Sequence, residues 1–212
     1  MHKCSCSIII RHLVISILIL AWASAQAQTS DTVKVEPNHS TIGFIVPIAG
    51  GITKVTGKFT DFKATLSWSE PITKDSDLTK CSINAAIKAA SINTGNSDRD
   101  KDLQGADFFE SEKYPEITFQ SKLVKKKDDE YLMIGDLTMR GKTKTVELPV
   151  IVTGMSPTED GRPVWGFSTR LKLNRKEFDI GTDWVHSAIP NFIGDEVAVE
   201  IDLWTRPPKK KQ

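Results

Sequence analysis

The strongest constraint on the fold of this chain is an alternation of apolar and polar residues, with a period of two, that recurs between residues 41 and 204. This period is typical of β-strands that bury one face. The apolar positions of the successive runs are Ile42, Phe44 and Val46; Val55, Gly57 and Phe59; Phe62, Ala64, Leu66 and Trp68; Cys81, Ile83, Ala85, Ile87 and Ala89; Ile117, Phe119 and Leu123; Met133, Gly135, Leu137 and Met139; Val146, Leu148, Val150 and Val152; Trp165, Phe167, Leu171 and Leu173; and Val197, Val199, Ile201 and Leu203. These runs predict an all-β fold of about eight strands.

The breaks between the runs are informative as well. After Phe59 the apolar phase slips by one residue, and we expect a β-bulge at Thr60 and Asp61 that bends a long strand. Residues 125–129 have the composition of a charged hairpin tip, and residues 140–142 and 159–162 that of tight turns. No linker or internal repeat divides the chain after the leader, which predicts one domain.

One segment does not alternate. Residues 97–112 open with a Ser-x-x-Asp helix start, are interrupted at Gly105 and restart at Asp107. This pattern predicts two short helical turns between strands, with Leu103, Phe108 and Phe109 on their buried face. The Tyr114–Pro115 pair ends the segment before the next strand.

A sheet of this many antiparallel strands avoids exposed edges by closing into a barrel. The interior of an eight-stranded barrel is either filled by side chains or open to one small ligand. Small residues recur on the predicted apolar faces, at Gly57, Ala64, Ala85, Ala89 and Gly135. They can leave space for a ligand, or they can interdigitate with larger residues in a solid core. The pattern leaves both alternatives open.

The two ends of the chain predict processing and disorder. Lys3 and Arg11 precede an apolar run at 13–22 and small-residue cleavage triplets at 23–27, as in a Sec-type signal peptide. The run is shorter than the roughly 20 residues that span a bilayer. We therefore expect a signal peptide at 1–27, a periplasmic or secreted barrel domain at 28–206, and a basic disordered tail at 207–212. That tail offers a peripheral contact with anionic membranes.

Cysteine usage and charge exclude some classes of protein. Cys4 and Cys6 lie within the predicted leader, so Cys81 alone remains; it cannot form an internal disulfide, and we expect it to be a buried strand residue. Removal of Lys3 and Arg11 leaves 26 basic residues of the 28, against 27 acidic ones. This near-neutral balance argues against nucleic-acid binding.

Motifs along the whole predicted mature chain resemble those of the YceI-like family. The central signature comprises Ser91 to Gly95, Arg99-Asp100, Leu103, Asp107-Phe108-Phe109, Tyr114-Pro115 and Ile117 to Ser121. Further matches, in order along the chain, are Asn38-His39-Ser40 with Gly43-Phe44, Val55 to Phe59, Gly135 to Lys144, Leu173 to Phe178, and Gly194 to Val197. The resemblance differs at Asp102, where the family usually has His, and at Asp179, where it usually has Gly.

The resemblance implies a lipocalin-like extended barrel, periplasmic in bacteria, that holds a polyisoprenoid or another long-chain amphiphile in a buried tunnel. It also implies a homodimer, as formed by some members. Asp102 puts in doubt a polar contact made by the family histidine, and Asp179 bears on the tunnel mouth.

Residues for such a site follow from the inward strand faces. The predicted tunnel lining is Phe44, Val46, Phe59, Ile83, Ile87, Phe119, Leu137, Met139, Phe167 and Leu171, with Phe108 and Phe109 closing one side. About half of these should touch ligand and the others only pack, because barrel interiors need both.

Cationic side chains at one rim are the predicted partners of a phosphorylated head group. The candidates are Arg99, Arg140 and Arg175, with His39 and Ser40 beside them in the motif set. Structural alternatives are pairing of Arg99 with Asp100 or Asp102, and of Arg175 with Glu177 or Asp179.

The sequence does not predict an enzyme, a metal site or a cofactor. After the leader the histidines are His39 and His186, and neither a nucleophile elbow nor a His-x-x-x-His motif is present. The predicted function is an exported carrier or binder of a long apolar lipid. The alternative is a periplasmic stress or interaction module that binds no lipid and acts through its surface.

Overall fold

The computed structural model describes residues 31–159 and 163–206 of the chain. The predicted signal peptide, the basic tail and most of the turn predicted at 159–162 therefore lie outside the described residues. Within them, no helix is long and apolar enough to cross a membrane.

The strands form one antiparallel sheet in the order β1-β4-β5-β7-β8-β9-β10-β11-β2-β3-β6, and pairing of β1 with β11 closes it. Their bounds are β1 Asp31–Val35, β2 Thr41–Ile48, β3 Thr53–Phe59, β4 Phe62–Trp68, β5 Cys81–Lys88, β6 Ile92–Asn93, β7 Glu116–Lys127, β8 Glu130–Met139, β9 Lys142–Pro157, β10 Pro163–Asn174 and β11 Glu196–Arg206.

Three pairs of these strands are single long strands with an interruption. β1 and β2 lie end to end along β11, β3 and β4 lie end to end against them, and β5 and β6 follow in the same way. Counted so, the closed barrel has eight antiparallel strands, as the alternation predicted.

The strand bends at Thr60 and Asp61, as predicted, but through an interruption between β3 and β4 and not through a β-bulge. β3 ends before it and pairs with β2, whereas β4 begins after it and pairs with β1. Ser91 accepts hydrogen bonds at its carbonyl from the Thr60 amide and hydroxyl, and Asp61 accepts one from the Lys88 amide at 2.9 Å. The adjacent strand is thus interrupted at the same level, so both strands turn together around the barrel.

The predicted inward position of Leu123 is wrong. Leu123 is 47% exposed, whereas Val124 is only 4% exposed. The pairing of β7 with β8 shifts register between Ser121 and Leu123. This irregularity inserts one residue, which reverses the facing of every residue beyond it.

The helical segment is simpler than predicted. Helix α1 spans Ser97–Gln104, but the second predicted helical turn is only a turn, at residues 106–109. The N-cap is Asn96 rather than Ser97, because the Asn96 side chain accepts from the amides of Asp98 and Arg99. A hydrogen bond of 3.0 Å from the Phe109 amide to the Leu103 carbonyl holds the turn against the helix.

Most buried apolar side chains belong to one cluster in the barrel interior, and a smaller cluster of Phe108, Phe178 and Ile180 lies at one end. That end carries four connections: the β2–β3 hairpin, the segment with α1, the β8–β9 turn at Arg140 and Gly141, and the β10–β11 loop. It is the end at which the barrel opens.

Candidate functional site

Two adjoining cavities lie inside the barrel. The inner one, about 170 Å³, lies between the strands, and the outer one, about 600 Å³, lies under the connections at the open end. Both linings include Phe44, Phe59, Met139, Leu173 and Val199, which we call the junction. Because they share these residues, the two cavities adjoin along the barrel. Together we call them the tunnel, with its mouth at the open end.

Glycines opposite aromatic rings explain why the barrel is not filled. Phe44 pairs with Gly57 across β2 and β3, and a Cβ atom at Gly57 would lie 2.3 Å from Cζ of Phe44. At Gly135 on β8, a Cβ would lie 2.5 Å from Cζ of Phe119 on β7. Each ring therefore lies along the wall over a glycine instead of projecting into the lumen. The small residues interdigitate with large ones and, by doing so, leave space.

The wall of the inner cavity offers no charge. Its lining residues are apolar except for Tyr131, Ser168 and Thr169, which carry hydroxyl groups, and Cys81. Burial raises the pKa of the Cys81 thiol to about 12, against a small opposing effect of a backbone hydrogen bond, so the thiol is neutral. Chemically, this wall can solvate hydrocarbon and little else.

The outer cavity differs because charged residues join its apolar wall. Lys54, Arg99, Asp102 and Arg175 contribute to the lining. Arg99 and Asp102 are one helical turn apart on α1, and Lys54 follows the β2–β3 hairpin. Polar groups therefore lie at the mouth of the tunnel and hydrocarbon side chains at its depth.

Arg175 borders the outer cavity, but all its donors are used within the protein. The guanidinium donates from Nε to the Gly194 carbonyl (3.0 Å), from Nη1 to the carbonyls of Ile180 (2.7 Å) and Gly181 (2.6 Å), and from Nη2 to the Ile193 carbonyl (3.1 Å) and to Oδ1 of Asp195 (3.0 Å). An arginine has five N–H donors, so none remains for a ligand.

The structural role of Arg175 differs from both alternatives drawn from the sequence. Its ionic partner is Asp195, not Glu177 or Asp179. Burial lowers the pKa of the Arg175 guanidinium, and the Asp195 carboxylate opposes that shift. Arg175 thus ties residues 180–195, the loop over the mouth, to the end of β10.

Arg99 is different, because its guanidinium is only partly used. Nε donates to Oγ1 of Thr94 at 2.9 Å, and no other described residue forms a hydrogen bond or ion pair with this side chain. The pairing expected with Asp100 or Asp102 is absent in the described part of the chain; Asp100 instead accepts from the amide and hydroxyl of Thr94. The Nη groups of Arg99 remain available at the outer cavity.

The two other polar candidates lie outside both linings. Arg140 donates to the carbonyls of Asp179 and Ala106 and forms an ion pair with Glu110, so it joins neighbouring connections. His39 is exposed on the outside of the barrel, with its ring 4.6 Å from that of Trp204. The structure does not bring these two residues together with Arg99.

All twelve apolar residues proposed for the tunnel lie on its wall. Ile83, Ile87, Phe119, Leu137, Phe167 and Leu171 line the inner cavity, Val46, Phe108 and Phe109 line the outer one, and Phe44, Phe59 and Met139 line both. Their contact with a ligand stays a prediction.

The sequence reasoning missed several wall residues. Leu173 and Val199 belong to the alternating runs and could have been included, whereas Val124 is hidden by the irregularity in β7. Trp184 and Phe192 line the outer cavity from the β10–β11 loop. That loop has no periodicity, so no sequence signal marks them.

The apolar depth and the polar mouth are suited to binding an amphiphile. Among residues 31–159 and 163–206, no group of three or more His, Cys, Asp or Glu side chains is placed to hold a metal ion.

Comparison with known proteins identifies the relatives of this barrel. The model of the YceI-like domain matches residues 33–204. The chain is a member of the YceI-like family. It is 34% identical over 165 residues to the protein YceI of Escherichia coli O157:H7, which covers 77% of this chain and 83% of that protein. A UPF0312 protein of Photorhabdus laumondii is 32% identical over 170 residues, covering 78% of this chain and 83% of the relative.

Several solved structures share the barrel. The Campylobacter jejuni YCEI protein has a TM-score of 0.62 at 30% identity, and the match covers 75% of this chain and 88% of the C. jejuni chain. BcnA of Burkholderia cenocepacia has a TM-score of 0.68 at 24% identity, covering 80% and 98%. A polyisoprenoid binding domain from Saccharophagus degradans has a TM-score of 0.61 at 15% identity, covering 83% and 98%, and that likeness shows the fold alone.

Proposed function

We propose that this YceI-like protein is an exported binder or carrier of a long apolar lipid, a polyisoprenoid or similar amphiphile, whose tail occupies the inner cavity. The observation that carries the proposal is the pair of adjoining cavities, the inner one with an uncharged apolar wall and the outer one with charged residues at the mouth. The fold shared with a polyisoprenoid binding domain supports it.

The polarity of the wall selects the orientation of the ligand. Burial of hydrocarbon is favourable by about 25 cal/mol per Å² and needs no specific chemistry. A charged or unpaired polar group in the inner cavity would lose its hydration without gaining a partner, at a cost of several kcal/mol. The lipid therefore enters tail first, and its head group stays in the outer cavity.

Arg99 and Lys54 are the head-group contacts that this orientation suggests. Both line the outer cavity, and in the described part of the chain Lys54 has no ion pair and Arg99 keeps its Nη donors free. A phosphate, carboxylate or carbonyl oxygen is a suitable partner for these donors. Asp102, which also lines the cavity, disfavours a second negative charge close to it.

Export to the periplasm or beyond rests on the leader sequence. The basic residues, the apolar run and the cleavage triplets of residues 1–27 support it. In such a compartment the protein carries or stores lipid, since the inner cavity offers a solvent for hydrocarbon.

Native mass spectrometry of the mature protein, purified gently from its own host, tests the proposal. A retained hydrophobic mass is expected. Uptake of a fluorescent polyprenol analogue by the delipidated protein should be abolished by Leu137→Trp, which fills the inner cavity, and kept by Ile151→Trp on the outer face of β9. An apo mass combined with no uptake by the wild type would overturn lipid binding and leave a module that acts through its surface.

A further inference from the structure

Two loops form one side of the tunnel mouth and are joined to each other. The β2–β3 hairpin and the β10–β11 loop are connected by a hydrogen bond of 2.7 Å from the Ala49 amide to the Phe192 carbonyl and by a bridge between Ile48 and Ile193. Ile48, Phe192 and Ile193 line the outer cavity. The tips of both loops therefore lie beside its entrance.

The two most exposed large aliphatic side chains among the described residues lie on these tips. Ile52 on the hairpin is 88% exposed and Val185 on the loop is 83% exposed; Ile189 on the same loop is 39% exposed. Single exposed aliphatics are common on protein surfaces. Here, however, they flank the opening of an apolar tunnel, and we call Ile52, Val185 and Ile189 the rim.

The loop that carries most of the rim is fixed rather than free. Arg175 holds the carbonyls of residues 180, 181, 193 and 194 with four of its five donors. Trp184, next to Val185, has its ring 6.1 Å from that of Phe192 and 6.2 Å from that of Phe108. Val185 is therefore exposed on a loop that is held at both ends, next to an indole that packs on two aromatic rings.

Charges around the rim balance each other. Lys54, Arg99 and Arg175 are the cations on the mouth wall, and Arg175 is paired with Asp195. Asp102 lies on the same wall, and Asp183 is exposed one residue before Trp184. Opposite charges in equal number give no strong field toward an anionic surface. An attraction at this surface must then come from the aliphatic side chains.

We propose that the rim inserts between the head groups of a lipid bilayer into the edge of its hydrocarbon region and places the tunnel mouth against the bilayer. This inference rests on the proposed function: a tail that passes from bilayer to outer cavity through a seated rim is never exposed to water. Indole side chains favour the level of the head groups, which suits the position of Trp184. A second copy of the chain fits less well, because three side chains fall far short of the about 800 Å² per partner in a stable interface.

Co-sedimentation of the mature protein with phosphatidylcholine vesicles tests the proposal. The rim variant, Ile52→Ser with Val185→Ser, should bind vesicles about tenfold more weakly or worse, since two aliphatic anchors are lost. Neither residue belongs to the tunnel wall. A matched control, Leu123→Ser with Ile151→Ser, removes two aliphatics that are 47% and 46% exposed on the barrel side and should bind like the wild type.

A second readout separates this proposal from the proposed function. Uptake of the polyprenol analogue from vesicle-free solution should be equal in the wild type and the rim variant, whereas transfer from vesicles should slow in the rim variant alone. Equal vesicle binding by all three proteins would overturn the docking surface, as would a rim variant that only converts a dimer to a monomer. Absence of uptake from solution by the wild type would instead overturn the proposed function.

Discussion

The packing of Phe44 on Gly57 gives a prediction about what keeps the tunnel open. In Gly57→Ala the new methyl group would lie 2.3 Å from Cζ and 2.9 Å from Cε1 and Cε2 of Phe44. All three atoms belong to the ring, so the ring must move while the strands stay paired. Phe59 lies beside it, with ring centroids 5.8 Å apart, and Phe44 lines both cavities. The ring therefore swings toward the lumen and narrows the junction.

The cost to folding should be small compared with the effect on uptake. Overpacking typically costs about 1–3 kcal/mol, and replacement of glycine in a strand returns about 0.5–1 kcal/mol, so the free energy of unfolding should fall by about 2.5 kcal/mol at most. Urea denaturation measures this change in the free energy of unfolding. Uptake of the polyprenol analogue should become at least about tenfold slower or weaker, because a ring now blocks the path of the tail.

Two further variants make this prediction refutable. Gly154→Ala is the matched control, since a Cβ at Gly154 meets no atom within 4 Å, and it should behave like the wild type. Phe44→Leu combined with Gly57→Ala should recover uptake, because the shorter side chain clears the junction. Normal uptake by Gly57→Ala, or no recovery in the double variant, would refute the idea that the glycine keeps the lumen open.

Three other predictions concern stability and reactivity. Arg175→Lys should lower the free energy of unfolding, measured in urea, by about 3 kcal/mol, since three ammonium donors cannot replace five guanidinium donors and buried carbonyls lose their partners. A loss below about 1 kcal/mol would contradict the role of Arg175 in holding the loop of residues 180–195. Asp179 has a left-handed backbone conformation (φ 56°), which strains alanine more than glycine. Asp179→Gly should therefore be about 1 kcal/mol more stable than Asp179→Ala, and both variants lose the same ion pair with Lys142. Equal urea midpoints for the two variants would argue against this strain. Burial raises the pKa of the Cys81 thiol to about 12, from 9.0, so the contribution of this group to stability is complete below pH 9 and declines as pH rises toward 12. The wild type should therefore lose more stability than Cys81→Ala between about pH 8 and 10.5. Thiol reagents at about pH 8 should react with Cys81 only when the protein unfolds.

Much of the barrel could be predicted because strand facing is a local property. A period of two in the sequence is a period of two in the structure wherever pairing is regular, and the bend at Thr60 and Asp61 was visible as a change of phase. Leu123 shows the limit of this reasoning. The register shift beside it depends on how β7 pairs with β8, and the apolar pattern there did not reveal it.

The apolar wall was easier to predict than the polar groups. An apolar residue on an inward face reaches the lumen whatever its neighbours do, whereas the availability of an arginine depends on every acceptor around it. The five acceptors of Arg175 belong to residues 180–195, and four of them are backbone carbonyls. Their positions cannot be predicted from the sequence, because the loop has no periodicity. The same holds for Arg140, whose partners are carbonyls of other connections.

Asp179 illustrates how a departure from the family pattern can be accommodated. A left-handed residue after the turn at Arg175–Phe178 favours glycine, and aspartate is among the side chains that tolerate this conformation best. Its carboxylate forms an ion pair with Lys142, at the start of β9. The substitution thus links two connections at the open end, next to the tunnel mouth.

A hollow interior has an energetic consequence for the whole barrel. At about 24 cal/mol per Å³, an empty inner cavity of about 170 Å³ costs roughly 4 kcal/mol relative to a filled one, a large part of the stability of an ordinary domain. A lipid tail that fills this space restores the missing contacts, and because it binds the folded barrel alone it also shifts the folding equilibrium. The glycines under Phe44 and Phe119 therefore couple stability to occupancy: they keep the lumen open at the expense of the empty protein, and the ligand offsets that cost.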